Sequence, residues 1–197
     1  YNAGVNDGDR DSISGFYETL KTTALIAKNG GGSGINFHEV RAEGTLIKGC
    51  GGRAVSIVKL LQQFNTLTNY VDQGRRREAA IAGYLEPWHA EIENFLQLLL
   101  KTGDPEQRTH KLHTALWIPD IFMRRCMENG KWPLFCPKKC PGLNTCHGEE
   151  FDKLFLKYEQ EGRANKVVEA RKIFDMICVS LADSGEPYIM FKDTVNR

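Results

Sequence analysis

The segment from residue 70 to residue 93 constrains the fold of this chain more than any other part of the sequence. It reads YVDQGRRREAAIAGYLEPWHAEIE, in which a helix tail is followed by the cationic loop Arg75–Arg77 and then by the apolar run Ala79–Leu85. A short apolar run between loop signals predicts a buried strand. Pro87 suits the first turn of a following helix, where its missing N–H costs little. A buried strand between two helices predicts an α/β architecture.

The rest of the chain repeats this alternation of helices and strands. Capped, periodic segments predict helices at about 11–28, 53–71, 88–101, 119–128, 148–160 and 164–182. Apolar runs predict strands at 35–37, 79–85, 113–118, 132–135 and 188–191. Strands that alternate with helices predict a largely parallel sheet or barrel. In the first helix, the stripe expected to face the core consists of Ile13, Phe16, Leu20 and Ala24.

Composition excludes several classes of protein. The chain has 197 residues, of which 41% are hydrophobic and 26% charged, as in ordinary soluble globular proteins. A formal net charge of +1 offers no overall attraction to nucleic acid or to an anionic membrane. The sequence lacks an apolar run of about 18 residues and a signal peptide, so we expect a cytoplasmic protein that is not embedded in a membrane.

The six cysteines are expected to be reduced thiols, because a chain of this size needs no disulfides and carries no secretory signal. The series Cys136, Cys140, Cys146 and His147 has the composition of a metal site. It lacks the closely spaced cysteine pair of most zinc knuckles, so loop packing or free thiols are the favoured alternatives. We therefore expect no metal bound by this chain.

Several cationic and polar positions fit a phosphorylated ligand. Arg41, Lys48 and the loop Arg75–Arg77 are suited to a triphosphate, although a charge run on a turn can also be merely solvated. Asp11 and Ser12 stand at a helix start, where they could accept from a sugar hydroxyl or a metal-bound water. These residues predict an anion or nucleotide site.

The glycine-rich run from residue 30 to residue 34 follows a helix and precedes a strand. It is not a P-loop or a dinucleotide fingerprint. It is interpreted as a helix terminator and tight connection, with close approach of a ligand to the backbone as the alternative.

The residues show no catalytic constellation. Glu86 could act as a general base, but neither a paired carboxylate nor a nucleophile adjoins it in the sequence. His89 follows a tryptophan at a predicted helix start, which favours a structural role. Reasoning from residues alone therefore ends at an α/β piece that binds a nucleotide or another anion.

Long and chemically unusual strings in this chain identify a family by resemblance. The chain resembles, in order and over nearly its whole length, the large catalytic subunit of class I ribonucleotide reductase; the matching strings include Asp11–Ile13, Arg41–Gly44, Tyr84–His89, Ala115–Asp120, Cys140–Leu143 and Phe191–Asp193. The resemblance implies that residues 1–197 are one partial domain, the N-terminal half of a ten-stranded α/β barrel that includes the effector-specificity region. It also implies the reduction of ribonucleoside diphosphates to deoxyribonucleotides by thiyl-radical chemistry.

The resemblance further implies partners and ligands. The effector would be a deoxynucleoside triphosphate or ATP, with or without Mg²⁺, bound at a homodimer interface. A small metal-containing partner subunit would supply the radical, and thioredoxin or glutaredoxin would reduce the full enzyme.

The resemblance assigns roles residue by residue. The residues implied around the effector are Asp11, Ser12, Ile13, Lys28, Arg41, Lys48 and Gly49. Gly32 falls where a backbone amide touches the substrate, and Gln73 and Arg77 fall in the loop that relays effector identity to the substrate base.

The sequence also departs from the family pattern. The motif that carries the thiyl cysteine is expected beyond Arg197, and only VNDGDR stands where relatives have a longer, substrate-binding segment. The specificity loop is about one residue shorter than usual, and Glu78 replaces a common proline. We therefore expect the isolated chain to be inactive, with a non-catalytic nucleotide-binding or interaction module derived from a reductase as the second hypothesis.

Overall fold

The computed structural model describes residues 11–47, 49, 51–71 and 79–197. Helices and strands alternate through these ranges, with a 3₁₀ turn at Pro105–Gln107. The elements in chain order are α1 (Ile13–Lys28), β1 (Gly32–Asn36), α2 (Ile57–Tyr70), β2 (Ala80–Leu85), α3 (Ile92–Phe95), β3 (His113–Ile118), α4 (Asp120–Met127), β4 (Lys131–Leu134), α5 (Gly148–Gln160), β5 (Lys166–Glu169), α6 (Ala170–Ser184), β6 (Tyr188–Phe191) and α7 (Lys192–Val195).

Four strands form one parallel sheet in the order β1-β2-β3-β6. Gly34 pairs with Ala82 between the first two strands, and Ala115 pairs with Tyr188 between the last two. β4 and β5 form a separate antiparallel pair. The predicted α/β architecture with a largely parallel sheet is therefore confirmed.

The helices cover one face of the parallel sheet. The core on that face joins strand residues to helix residues and includes Ile35, Ile81, Leu85, Leu116, Ile118, Ile57, Leu61, Phe64, Phe95 and Phe122. The opposite face carries Gly34, Tyr84, Trp117 and Tyr188, all of them partly or fully exposed. Parallel sheets are ordinarily covered on both faces. One open face is what part of an α/β barrel would present toward the barrel interior.

Helix α1 begins as predicted, but the face that it buries is shifted from the predicted one. Ser12 caps it, since its Oγ accepts a hydrogen bond from the Gly15 amide at 3.1 Å. The predicted stripe was partly right: Phe16 and Leu20 pack against the core, but Ile13 is 75% exposed and the fully buried residues are Gly15, Thr19, Thr23 and Ala27. The threonine hydroxyls donate to backbone carbonyls of the preceding turn, at 2.8 and 2.7 Å, which satisfies them in the interior. The small side chains on this face allow a close approach to the sheet.

Two other predicted helices were too long. The helix predicted at 88–101 is only the four-residue α3, because the preceding residues are held in turns by buried hydrogen bonds such as that from the His89 amide to the Glu86 carbonyl. The helix predicted from residue 164 begins at Ala170. The residues before it, Lys166–Glu169, pair with β4 instead. Tertiary pairing thus overrode local helical preference.

The glycine-rich run is divided between a helix end and a strand. Gly30 has a positive φ of 79°, as a terminator requires. A Cβ on Gly31 would lie 2.7 Å from Cγ2 of Ile26, so this close approach also needs glycine. Gly32 to Gly34 belong to β1, so the interpretation of the whole run as a connection was only half right.

Of the helices in the described ranges, none is both long enough and apolar enough to cross a bilayer.

Candidate functional site

A cavity of about 600 Å³ opens where α1, α2 and the loop after β1 meet. Its size is within the usual range for small-molecule sites. Helix α1 ends where β1 begins and runs antiparallel to it, so the start of α1 lies at the carboxyl end of this strand. Helix α2 follows β1, so it starts at the same end. The lining residues are Asp11, Ser12, Ile13, Phe16, Tyr17, Val40, Arg41, Ile47, Ala54, Val55, Ser56, Ile57, Lys59, Leu60 and Gln63.

An ion pair between Asp11 and Arg41 forms one wall of the cavity. Arg41 donates from Nε to Asp11 Oδ2 at 2.6 Å and from Nη2 to the Asp11 carbonyl at 2.9 Å. Its backbone amide donates to Asp11 Oδ1 at 3.3 Å, and Lys138 Nζ lies 3.6 Å from Oδ2. Burial raises the pKa of Asp11, and the bonds from Arg41 oppose that rise. The pair places a fixed guanidinium beside the cavity.

Two helix amino termini contribute to the same cavity. Ser56 caps α2, with its Oγ accepting from the Val58 amide at 3.3 Å, just as Ser12 caps α1. The positive end of each helix dipole favours an anion at this position. Lys59, in the first turn of α2, adds a half-exposed ammonium group. The electrostatics therefore suit a phosphorylated ligand.

Apolar side chains line the other part of the cavity. Ile13 and Tyr17 from α1 are 75% and 56% exposed, and Val55 before α2 is 70% exposed. Exposed large apolar groups beside cationic groups offer a surface for a base or sugar ring as well as for phosphate.

The structure brings together only some of the predicted effector residues. Asp11, Ser12, Ile13 and Arg41 all line the cavity. Lys28 ends α1, eleven residues after Tyr17, which is the last residue of this helix that lines the cavity, so it lies roughly 16 Å from the cavity along the helix axis.

Two predicted glycines also lie away from the cavity lining. Gly49 has a positive φ of 93° and lies near the tip of a hairpin in which Leu46 pairs with Arg53. Among the described residues of that hairpin, Ile47 and Ala54 line the cavity and Gly49 does not. Gly32 begins β1, at the end of the strand remote from the loop that carries Arg41. A side chain on Gly32 would meet Ala80 only at ordinary contact distance.

Three of the predicted residues lie outside the described part of the chain. They are Lys48 of the effector set and the two loop residues Gln73 and Arg77.

Sequence reasoning missed several residues of the cavity. Ser56, Lys59 and Gln63 were placed inside a helix predicted to start near residue 53, whereas α2 starts at Ile57. The signal that identifies Ser56 is its position directly before the periodic apolar run, which is typical of an N-cap. Tyr17 carries no such signal, because its role depends on which face α1 buries.

A second polar cluster lies at the carboxyl ends of β2 and β6 and is sealed from solvent. We call it the Glu86–Lys192 junction. Lys192 Nζ donates to both carboxylate oxygens of Glu86, at 3.0 and 2.9 Å, and to the Leu143 carbonyl at 2.8 Å. Trp88 Nε1 donates to Glu86 Oε2 at 2.8 Å. Burial raises the pKa of Glu86 to about 7 against the lowering effect of Lys192.

The structure around the junction shows what two residues singled out in the sequence, Glu86 and His89, do in the fold. Glu86 has no exposed surface and its carboxylate is fully hydrogen-bonded, so in this structure it is not accessible to a substrate as a general base. His89 is buried and makes two hydrogen bonds, which confirms its predicted structural role. Beside Lys192, Asp193 accepts from the Asp120 amide and the Gly148 amide, both at 2.6 Å, and so caps α4 and α5.

The cysteines of the described residues are free thiols, and four of them are buried. Cys136 Sγ accepts from the Ala42 amide at 3.4 Å, and Cys146 Sγ donates to the Gly142 carbonyl at 3.2 Å. Among the described residues, no group of three or more histidine, cysteine or acidic side chains is arranged to hold a metal ion. The loop-packing reading of these cysteines fits these contacts.

The fold defines a class: an α/β protein whose parallel sheet is open on one face, consistent with part of an α/β barrel, and whose cavity lies in the loops at the carboxyl end of a strand. The family model described as "Ribonucleotide reductase, barrel domain" matches residues 4–197. The chain belongs to this family.

Curated relatives agree with the family match. The chain is 50% identical over 188 residues to the ribonucleoside-diphosphate reductase large subunit of Danio rerio and 49% identical over 188 residues to that of Arabidopsis thaliana. It is 47% identical over 192 residues to the large chain of Neurospora crassa. These alignments cover 95%, 95% and 97% of this chain but only 24%, 23% and 21% of the relatives. The chain therefore spans less than a quarter of the length of these relatives.

Proposed function

We propose that this chain is the N-terminal half of the barrel of a ribonucleoside-diphosphate reductase large subunit, as one partial domain over residues 1–197. The named activity of the relatives supports this proposal. In it, the complete enzyme reduces ribonucleoside diphosphates by thiyl-radical chemistry, with the radical supplied by a small partner subunit and electrons by thioredoxin or glutaredoxin. This piece contributes regulation rather than the catalytic cysteines, and the enzyme works in the cytoplasm.

The cavity beside Asp11 and Arg41 is proposed as the allosteric specificity site. The observation that carries this proposal is the convergence of four predicted effector residues, from two segments about thirty positions apart, on one cavity of suitable size. Arg41, with the amino termini of α1 and α2, suits the phosphates of a deoxynucleoside triphosphate or ATP. The apolar part, with Ile13 and Tyr17, suits the base and sugar.

We propose that the site lies at a homodimer interface. Helix α1 exposes large apolar side chains along its outer surface, including Ile13, Tyr17 and Leu25. An exposed apolar stripe of this kind is typical of a surface that packs against another chain. Lys28 cannot reach the cavity of its own chain, since it ends a 16-residue helix that begins there. In a dimer packed through α1, Lys28 of one copy would approach the cavity of the other.

Thermal-shift titration with dTTP, dGTP and ATP tests the effector site. A nucleotide that binds the folded chain stabilises it by roughly 2.7 kcal/mol at 100 times its dissociation constant. We expect such a shift with at least one nucleotide for the unmodified chain, and a much smaller shift for Arg41→Gln. Arg171→Gln is the matched control, because it removes the same charge from an exposed position on α6. If none of the three nucleotides shifts the unfolding midpoint, the specificity-site proposal is wrong.

A further inference from the structure

We propose that Glu91 is a positioning residue, assisted by His89. It fixes the separation between two walls of the cavity, which are the loop that carries Arg41 and the amino terminus of α2. This inference rests on the proposed effector site and adds the residues that fix its geometry. Neither residue lines the cavity. Both belong to the segment between β2 and α3, behind the cavity walls, so any effect they have on a ligand must pass through other residues.

The Glu91 carboxylate contacts both walls. Its Oε1 accepts from the Glu43 amide at 2.7 Å, in the loop that carries Arg41. Its Oε2 accepts from Ser56 Oγ at 2.7 Å, at the start of α2, and from Asn94 Nδ2 at 3.0 Å. Glu91 is only 3% exposed, so these bonds are shielded from water and from salt. One carboxylate thereby sets the separation between the Arg41 loop and the amino terminus of α2.

Glu91 also orients the capping hydroxyl of α2. A serine hydroxyl has one proton, and at Ser56 that proton is directed to Glu91 Oε2. The oxygen lone pairs are then available to the Val58 amide, which donates to Ser56 Oγ at 3.3 Å. Ser56 lines the cavity, so the orientation of its hydroxyl affects which hydrogen bonds a ligand can make there.

His89 holds the same loop from a second point. Its Nε2 lies 2.8 Å from the Val40 carbonyl, which can only accept, so Nε2 carries the proton. Nδ1 is therefore the acceptor for the Glu91 amide, at 3.1 Å. Burial lowers the pKa of His89, which keeps the ring in this neutral form. Val40 directly precedes Arg41, so the histidine fixes the backbone at the point where the cationic side chain begins.

The residues on both sides of Arg41 in the chain are held by hydrogen bonds. The residue before it is bonded by His89, the amide after it donates to Cys136 Sγ at 3.4 Å, and the next amide donates to Glu91. Arg41 itself is bonded to Asp11. A ligand that contacts Arg41 and the start of α2 at once needs both walls at a fixed separation, because misplacement of one wall loses one set of contacts.

The test compares Glu91→Gln with Glu93→Gln in the full chain. The dissociation constants of dTTP, dGTP and ATP are measured for both variants. The temperature is one at which far-ultraviolet circular dichroism shows that both variants are folded. Glu93 is the matched control, because it lies two residues away and pairs on the surface with Lys166 and Lys172. We expect Glu91→Gln to weaken the tightest nucleotide about tenfold, the usual cost of disturbing a hydrogen bond to a charged group. Glu93→Gln should change it less than about twofold.

A double-mutant cycle separates positioning from general destabilisation. Ser56→Ala and Glu91→Gln should be non-additive in nucleotide affinity, because each breaks the same link between the walls. If both Gln variants bind nucleotide equally well, or if Glu91→Gln lowers only the unfolding midpoint, the positioning role is wrong while the effector site stands. If the unmodified chain binds none of the three nucleotides, the effector site and the positioning role both fail.

Discussion

The cavity and the Glu86–Lys192 junction both place charged groups at the carboxyl side of the same sheet, yet they differ in access. In the cavity, Arg41 and Lys59 keep 18% and 48% of their side-chain surface exposed. In the junction, Lys192 and Glu86 keep 3% and none. A partly exposed cation can exchange water for a ligand at a small cost in desolvation free energy. A buried ion pair cannot, because separating it leaves an uncompensated charge in the interior. The cavity is therefore suited to binding, and the junction to holding the structure together.

The largest effect that this comparison predicts is on stability at the junction. Lys192→Met leaves the Glu86 carboxylate buried without its counter-charge, so at pH 8 we expect a loss of about 3–5 kcal/mol in the free energy of unfolding. Lys153→Met is the control, since Lys153 forms an exposed pair with Glu149 and should cost less than about 0.5 kcal/mol. Urea denaturation of both variants measures the difference. Equal losses would show that the junction is no more structural than a surface pair.

A smaller effect is expected from pH. Burial raises the pKa of Glu86 from 4.5 to about 7, so between these values the folded chain holds a proton that the unfolded chain has released. The stability from this group is complete below pH 4.5 and is lost as the pH rises through 7. Relative to Glu86→Gln, which cannot titrate, the unmodified chain should lose up to about 3 kcal/mol across this range. Urea denaturation at several pH values measures it, and a constant difference between the two proteins would contradict the assignment.

The smallest effect is expected at the cavity. Lys59→Ala should change the free energy of unfolding by no more than about 0.5 kcal/mol, because Lys59 is half-exposed and its ion pair with Glu106 is exposed as well. It should weaken nucleotide binding about threefold at low ionic strength, and less in about 0.5 M salt, where surface charges are screened. Lys153→Ala, remote from the cavity on α5, should leave binding unchanged. If Lys59→Ala instead lowered the free energy of unfolding as much as Lys192→Met, the cavity would be as important for stability as the junction, and the contrast between the two regions would be wrong.

Local signals in the sequence predicted the elements whose ends depend on their own residues. The helix at 148–160 and the strands at 113–118 and 188–191 match the structure, because the apolar pattern that predicts each element lies within its own segment. The structure differs from the prediction where the conformation of a segment depends on residues far away in the sequence. The segment 166–169 is a strand because β4 lies beside it, and residues 86–91 form turns because their side chains find partners far along the chain.

The same distinction holds for the two polar regions. Asp11 and Ser12 were recognisable as helix-start residues, and Arg41 as a cation suited to phosphate, but their convergence was predicted only through the family resemblance. The pairing of Glu86 with Lys192 joins positions 106 apart, and neither residue carries a local sign of its partner. Long-range pairing of this kind follows from strand order in the sheet, which periodicity does not encode.

The position of Lys192 and Asp193 in the chain has a consequence for synthesis on the ribosome. Polypeptides emerge amino terminus first, at about 5–20 residues per second, so Glu86 is made roughly 5–20 seconds before its counter-charge. Until then, the amides of Asp120 and Gly148 also lack the carboxylate that caps both helices. The first three strands of the sheet can associate during this interval, but the interior at their carboxyl ends closes only when these two residues arrive. Completion of this part of the fold therefore follows translation of its last strand.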